Sequence, residues 1–247
     1  MTQLNKSSSP QDWLGAFFFM KPETTPPQVA KPTLKVNFYI DGCNLHQGLI
    51  EYGWESFLWL DFVEFCKKLI GKYSDWELQK VKYYSARPFG ILGLQKNMLI
   101  NANKHKNADK FEEIQGKYII KTLDCDAKCK LEFKIAEEKC TDVGIAVDMV
   151  ADCIKGNCQV SVLISGDNDQ IPNLRYIKTY HSSHKLLVFF PPNRHKNELG
   201  AYCFKAINLT STKSLFENSL LDDKIIISPT AFYMRPPEWP SHNIQGK

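Results

Sequence analysis

No apolar run in these 247 residues approaches the length of a membrane-spanning helix, so none is expected within them. No secretory leader is expected either. Trp13–Met20 is short, is broken by Gly15, and has neither a basic flank nor a small-residue cleavage site. A strong excess of charge of either sign is missing: the net charge is only +4, so the composition is not that of an overtly basic nucleic-acid binder. There is no internal repeat. Eight cysteines are present, but they are scattered through expected helices and strands of a chain long enough to need no disulfide staples. The expectation is a soluble cytoplasmic protein with reduced thiols and no membrane partner.

What is present supports a folded body. A content of 43% hydrophobic and 12% aromatic residues is enough to bury a substantial core. Charge is uneven along the chain. Residues 80–139 hold 13 Lys and Arg against 8 Asp and Glu, an excess of five that surpasses the whole-chain value. Such a stretch either attracts phosphate or forms a solvated face.

Three regions are expected. Residues 1–34 have a Ser-rich start and the run Pro22-Glu23-Thr24-Thr25-Pro26-Pro27, a composition that supports no core, and read as a flexible arm. Its Trp13, Phe17, Phe18 and Phe19 form an apolar patch able to dock on the body or a partner. Residues 35–210 read as an α/β domain, and residues 211–247 as an extension packing on it. Strands are predicted over Val36–Ile40, Val81–Ala86, Val160–Ser165 and Leu186–Phe190, with a hairpin from Lys117–Leu123 and Leu131–Ile135. Helices are predicted over Asp61–Tyr73, Gln95–Lys106, Thr141–Lys155 and Ile171–His181. Continuous apolar strands alternating with helices indicate a three-layer α/β/α fold around a mostly parallel sheet. The tail from Ser228 is expected to pack irregularly or to form an edge strand.

In such sheets ligands bind beyond the carboxyl ends of the strands. There the first strand delivers Asp41-Gly42-Cys43-Asn44, and a later one delivers Ser165-Gly166-Asp167-Asn168-Asp169. Taken singly, each has an ordinary explanation: a turn at Asp41-Gly42, and a helix cap at Asp169 with Pro172 in the first turn. Together they place three carboxylates on one sheet edge, where mutual repulsion is relieved by a hard cation such as Mg²⁺ or Mn²⁺. The Thr141–Lys155 helix adds a fourth acid. Its apolar positions Val143, Ala146, Val147, Val150, Ala151 and Ile154 define an expected buried stripe, widened by Ile145, Met149 and Cys153. Asp148 and Asp152 then fall on the expected solvent face, while Asp142 at the helix start points toward the body.

Three segments carry a family resemblance. Tyr39-Ile40-Asp41-Gly42-Cys43-Asn44-Leu45, Glu137–Ala146 and Leu163–Pro172 resemble those of the NYN domain, in the LabA-like branch of the PIN-like nucleases. Val188-Phe189-Phe190-Pro191-Pro192-Asn193-Arg194 resembles the same branch, and the likeness spans roughly residues 35–210. It implies a PIN-like fold and divalent-metal-dependent RNA cleavage, endonucleolytic, with Asp41, Asp142, Asp167 and Asp169 as catalytic metal ligands for Mg²⁺ or Mn²⁺. The implied partner is single-stranded RNA, and a homo-oligomer is compatible with it. Asn44 is placed to orient a water or a phosphate oxygen, or equally to make an Asx-turn. Ser165 lets phosphate approach the backbone, and Arg194, Lys196 and Lys139 are candidate phosphate ligands. Lys104, His105 and Lys106 read chiefly as a solvated helix end. Cys125, Cys129 and Cys140 are candidate zinc ligands, although a structural role is favoured because no second tight pair is present. The competing reading is a non-catalytic RNA-binding or assembly module. Other Mg²⁺ enzymes fit less well: a DxD glycosyltransferase leaves Asp41 and Asp142 unexplained, and a HAD phosphatase requires an acid where Cys43 stands.

Overall fold

The computed structural model describes residues 32–87, 90–124, 132–195 and 197–241. The elements run β1 (Leu34–Asp41), α1 (Gly42–Glu51), α2 (Phe62–Ile70), β2 (Trp76–Ser85), α3 (Ile91–Lys106) and β3 (Phe111–Gln115). A hairpin follows, β4 (Lys117–Asp124) with β5 (Glu132–Lys139), then α4 (Thr141–Lys155), β6 (Val160–Ile164), α5 (Ile171–Tyr180) and β7 (Lys185–Phe190). The chain closes with α6 (Asn197–Gly200), β8 (Lys205–Asn208), α7 (Lys213–Glu217), β9 (Lys224–Ser228) and β10 (Ala231–Met234). Six strands form one sheet in the order β3-β2-β1-β6-β7-β8, and every pairing within it is parallel.

Strand alternation explains the layers. Val36, Phe38 and Ile40 of β1, Val160, Val162 and Ile164 of β6, and Leu187 and Phe189 of β7 join a core with α1, α2 and α3. The intervening residues Tyr39, Leu163, Leu186, Val188 and Phe190 join a second core with Ile145 and Met149 of α4 and Leu174 and Ile177 of α5. Two apolar faces and two helical layers produce α/β/α, as the continuous apolar strands predict. Asp61 caps α2 by accepting the Glu64 N–H at 3.0 Å.

The packing of α4 corrects the expected stripe. Ile145, Met149, Asp152 and Cys153 are buried, whereas Val143, Val147 and Ile154 are 67%, 59% and 56% exposed. The reason is a polar partner set on the sheet that helical periodicity cannot reveal. Asp152 pairs with Lys82 at 2.9 Å and accepts hydrogen bonds from Tyr39 Oη (2.8 Å), Asn37 Nδ2 (3.1 Å) and Asn157 Nδ2 (2.8 Å). Asp148 accepts from Tyr84 Oη at 2.7 Å. Burial would raise the Asp152 carboxyl, but the bonds from Asn157, Lys82 and Tyr39 hold it below its ordinary value. A buried charge so fully partnered is tolerated.

The tail differs as well. β9 and β10 pair antiparallel with each other rather than adding to the main sheet. Beyond them Trp239 is buried against the α1–α3 core.

Candidate active site

β1 and β6 are neighbours, yet from β1 the chain steps outward to β2 and β3, and from β6 outward to β7 and β8. The order reverses between them, and at such a switch point the flanking loops part to leave a crevice at the carboxyl edge. Asp41 ends β1 and Ser165 follows β6, both in the alternation that faces α4 and α5. Ser165 Oγ donates to Asp41 Oδ2 at 2.9 Å. Asp41 Oδ1 accepts the Asn44 N–H at 3.0 Å and so caps α1. Asn44 Oδ1 in turn accepts the Gly166 N–H at 3.0 Å, tying the start of α1 to the end of β6. Glycine is required at two points here. A Cβ on Gly166 would lie 1.8 Å from the Arg194 carbonyl oxygen, and one on Gly42 would lie 2.7 Å from that of Tyr84.

Asp167 and Asp169 follow on the turn Asn168–Gln170. The cap of this turn is Asp167, whose Oδ1 accepts the Asp169 N–H at 3.0 Å. Asp169 therefore does not serve as the helix cap that an ordinary reading of this segment would assign it, and its exposed carboxylate has no structural task among the described residues. Buried Gln170 donates from Nε2 to the Asp142 carbonyl at 3.2 Å, fixing the first turn of α4 against this turn. As a result, one carboxylate oxygen each from Asp142, Asp167 and Asp169 lies within 4.8 Å of the others. Asp41 stands outside this trio but shares with two of its members, Asp142 and Asp167, a cleft of about 220 Å³ lined also by Cys43, Asn44 and Glu138.

The electrostatics follow from this crowding. Burial raises the Asp41 carboxyl to about 6, with Asp142 and Glu138 adding to the rise and the bonds from Asn44 and Ser165 opposing it. Asp142 is raised by burial and then by Asp167 and Asp169. Burial lifts the Cys43 thiol to about 12, so it stays protonated and offers no thiolate nucleophile. Among the described residues no Lys or Arg pairs with Asp41, Asp142, Asp167 or Asp169. A hard cation suits this all-oxygen set. Asp142, Asp167 and Asp169 would hold such an ion, which prefers carboxylate and water oxygens.

Other sequence-predicted Lys and Arg residues that are described pair with groups other than the four acids. Lys139 Nζ donates to Glu137 Oε1 at 2.6 Å, on the strand face opposite Glu138. Arg194 donates to Glu51 and, at 3.5 Å, to Gln47 Oε1. Lys104 and Lys106 pair with Glu113 and Asp61. Lys196, Cys125 and Cys129 lie outside the described residues, as do residues 1–31 of the expected arm.

Two contributors escape sequence reasoning. Glu138 lines the cleft and accepts the Ala86 N–H at 3.0 Å. Its signal is strand parity: in β5 it must face away from Lys139. Gln170 has no sequence signal beyond its place after Asp169.

A family model described as the NYN domain matches residues 35–210. Among solved structures, a protein of unknown function from Vibrio parahaemolyticus is similar over 78% of this chain and 99% of its own. The TM-score is 0.51 and the sequence identity 17%, a likeness of fold. No curated protein matches the chain.

Proposed function

The chain belongs to the NYN domain family, and from that premise we propose that it is a divalent-metal-dependent endoribonuclease of the LabA-like branch, acting on single-stranded RNA. One observation carries the reading: Asp142, Asp167 and Asp169 converge beside buried Asp41 at the switch point, and among the described residues no Lys or Arg forms an ion pair with them. Asp142, Asp167 and Asp169 would hold Mg²⁺ or Mn²⁺. Such an ion supplies positive charge to phosphoryl oxygens and makes water more acidic.

The chain's own groups do the rest. Ser165 and Asn44 fix the Asp41 carboxylate in one orientation. Its proton affinity, near 6, suits it to accept the proton of an attacking water at neutral pH. The Asn44 amide nitrogen has no partner among the described residues and would donate to a phosphate oxygen. The six described cysteines are free thiols, in keeping with a cytoplasmic site of action. No helix among the described residues is long and apolar enough to cross a membrane.

The test uses purified full chain and an end-labelled single-stranded RNA. Internal cuts should appear with Mn²⁺ or Mg²⁺, vanish in excess EDTA, and vanish in Asp167→Asn. Cleavage surviving either change would contradict the metal assignment. Tight binding without cuts would instead identify a non-catalytic RNA-binding module.

A further inference from the structure

The trio lies at the seam of two unlike surfaces. One is the polar cleft that holds Asp41, Asn44 and Glu138. On the other side Asp142 and Asp169 form the rim of a groove of about 600 Å³ between α4 and α5. Its walls are Val143, Ala146 and Val147 from α4 and Ile171 and Pro172 from α5. The walls hold few polar atoms. One of them, Asn168 Oδ1, has no hydrogen-bond partner among the described residues.

The apolar surface continues away from the acids. Val143 and Val147 are among the more exposed apolar side chains of the molecule, and Ile154 extends their line along α4. On α5, Pro172, Tyr176 and Tyr180 are spaced four residues apart and so share one face, and all three are exposed. The two tyrosine rings sit 4.9 Å apart, and Tyr180 is 69% exposed. At 1.5 Å per residue, the stripe from Pro172 to Tyr180 is about 12 Å long.

An apolar groove that begins at a cation site asks for a ligand with the same polarity pattern. It must carry anionic oxygen at one point and flat, weakly polar groups immediately beside it. A single-stranded nucleic acid has this pattern, since each phosphate is flanked by bases that stack on exposed aromatic rings. A duplex hides those faces. We propose that the α4–α5 groove is a base-binding track. The base next to the phosphate held at Asp142 and Asp169 packs on Val143, Val147 and Pro172, and following bases stack on Tyr176 and Tyr180. The proposal rests on the reading of the acid trio as a phosphate-metal site, and it supplies the preference for unpaired strands that the acids alone cannot. A second copy of the chain is the other occupant such a surface admits, and its contact would shut the acids away from substrate.

The experiment compares a fluorescein-labelled oligouridylate of eight nucleotides with an abasic ribose-phosphate oligomer of equal length. Anisotropy is read on the full chain in Ca²⁺, alongside Tyr176→Ala, Tyr180→Ala and the uncharged Val147→Ser, all at exposed positions. The unsubstituted chain should bind the base-bearing strand at least about tenfold more tightly, as expected for one or two stacked bases. Each variant should lose most of that preference while binding the abasic strand unchanged. Equal affinity for the two strands, no binding of either, or variants that keep the full preference would overturn the proposal. So would a sedimentation change from dimer to monomer in the variants, which would assign the groove to self-association. Cleavage is scored separately in Mn²⁺. A chain that shows the base preference and never cuts would fail the nuclease reading while leaving the track standing.

Discussion

Replacing Asp41 with Asn should reverse sign as a stability change between acid and alkaline pH in the metal-free protein. Asp41 is buried, and its carboxyl is raised from the ordinary 3.8 to about 6. A carboxyl with a raised folded-state pKa binds its proton more tightly in the fold than in the unfolded chain. Its contribution is therefore intact below pH 4 and is lost as pH rises through 6. At 1.36 kcal/mol per tenfold change in proton affinity, the loss is about 3 kcal/mol by pH 8. Asp41→Asn removes that penalty. It also disturbs the bond from Ser165 Oγ, which already accepts the Asp167 N–H at 3.0 Å, at a pH-independent cost of about 1–2 kcal/mol. The variant should thus be less stable than the parent at pH 4 and more stable at pH 8, the difference swinging by about 3 kcal/mol. Urea denaturation in EDTA, followed by the fluorescence of buried Trp59 and Trp239, reads this directly. Stability differences that stay constant from pH 4 to 8 would refute the reasoning, because Asp41 would then ionise as it does in water.

Adding Mn²⁺ at a hundredfold excess over its dissociation constant should stabilise the fold by about 2.7 kcal/mol. That gain, read as a rise in melting temperature, should disappear in Asp142→Asn and Asp167→Asn. Ser165→Ala removes a bond that lowers the Asp41 carboxyl, so the acid limb of the pH–rate profile should move to higher pH. Asp152→Ala leaves Lys82 without its closest partner and should cost about 3–5 kcal/mol in urea denaturation. Gly166→Ala drives a methyl group into the Arg194 carbonyl and should lower both melting temperature and cleavage rate by displacing the turn that carries Asp167.

The strands and the site's edge were legible because their signals are local. Val160–Ile164 and Leu186–Phe190 are apolar throughout, so their burial on both faces follows from composition, and the acids follow the strands directly in sequence. The α4 face was not legible. Helical spacing weighs Val143 and Val147 as core and Asp152 as surface, but the deciding partners are Lys82, Tyr39 and Asn37, which lie on two strands far away in sequence. The cap at Asp167 was hidden for a similar reason. A three-residue turn precedes α5, so Asp169 falls inside that turn, Asp167 caps the turn, and α5 itself has no side-chain cap. Glu138 was passed over for Lys139 because alternation says only that the two face opposite ways, and the sequence does not say which face of β5 turns to the cleft.

Crystals soaked in Mn²⁺ and measured at the manganese absorption edge test the central claim most directly. The account predicts an anomalous peak bounded by carboxylate oxygens of Asp142, Asp167 and Asp169. Clear density for those side chains with no peak between them, or a peak only elsewhere on the molecule, would contradict it.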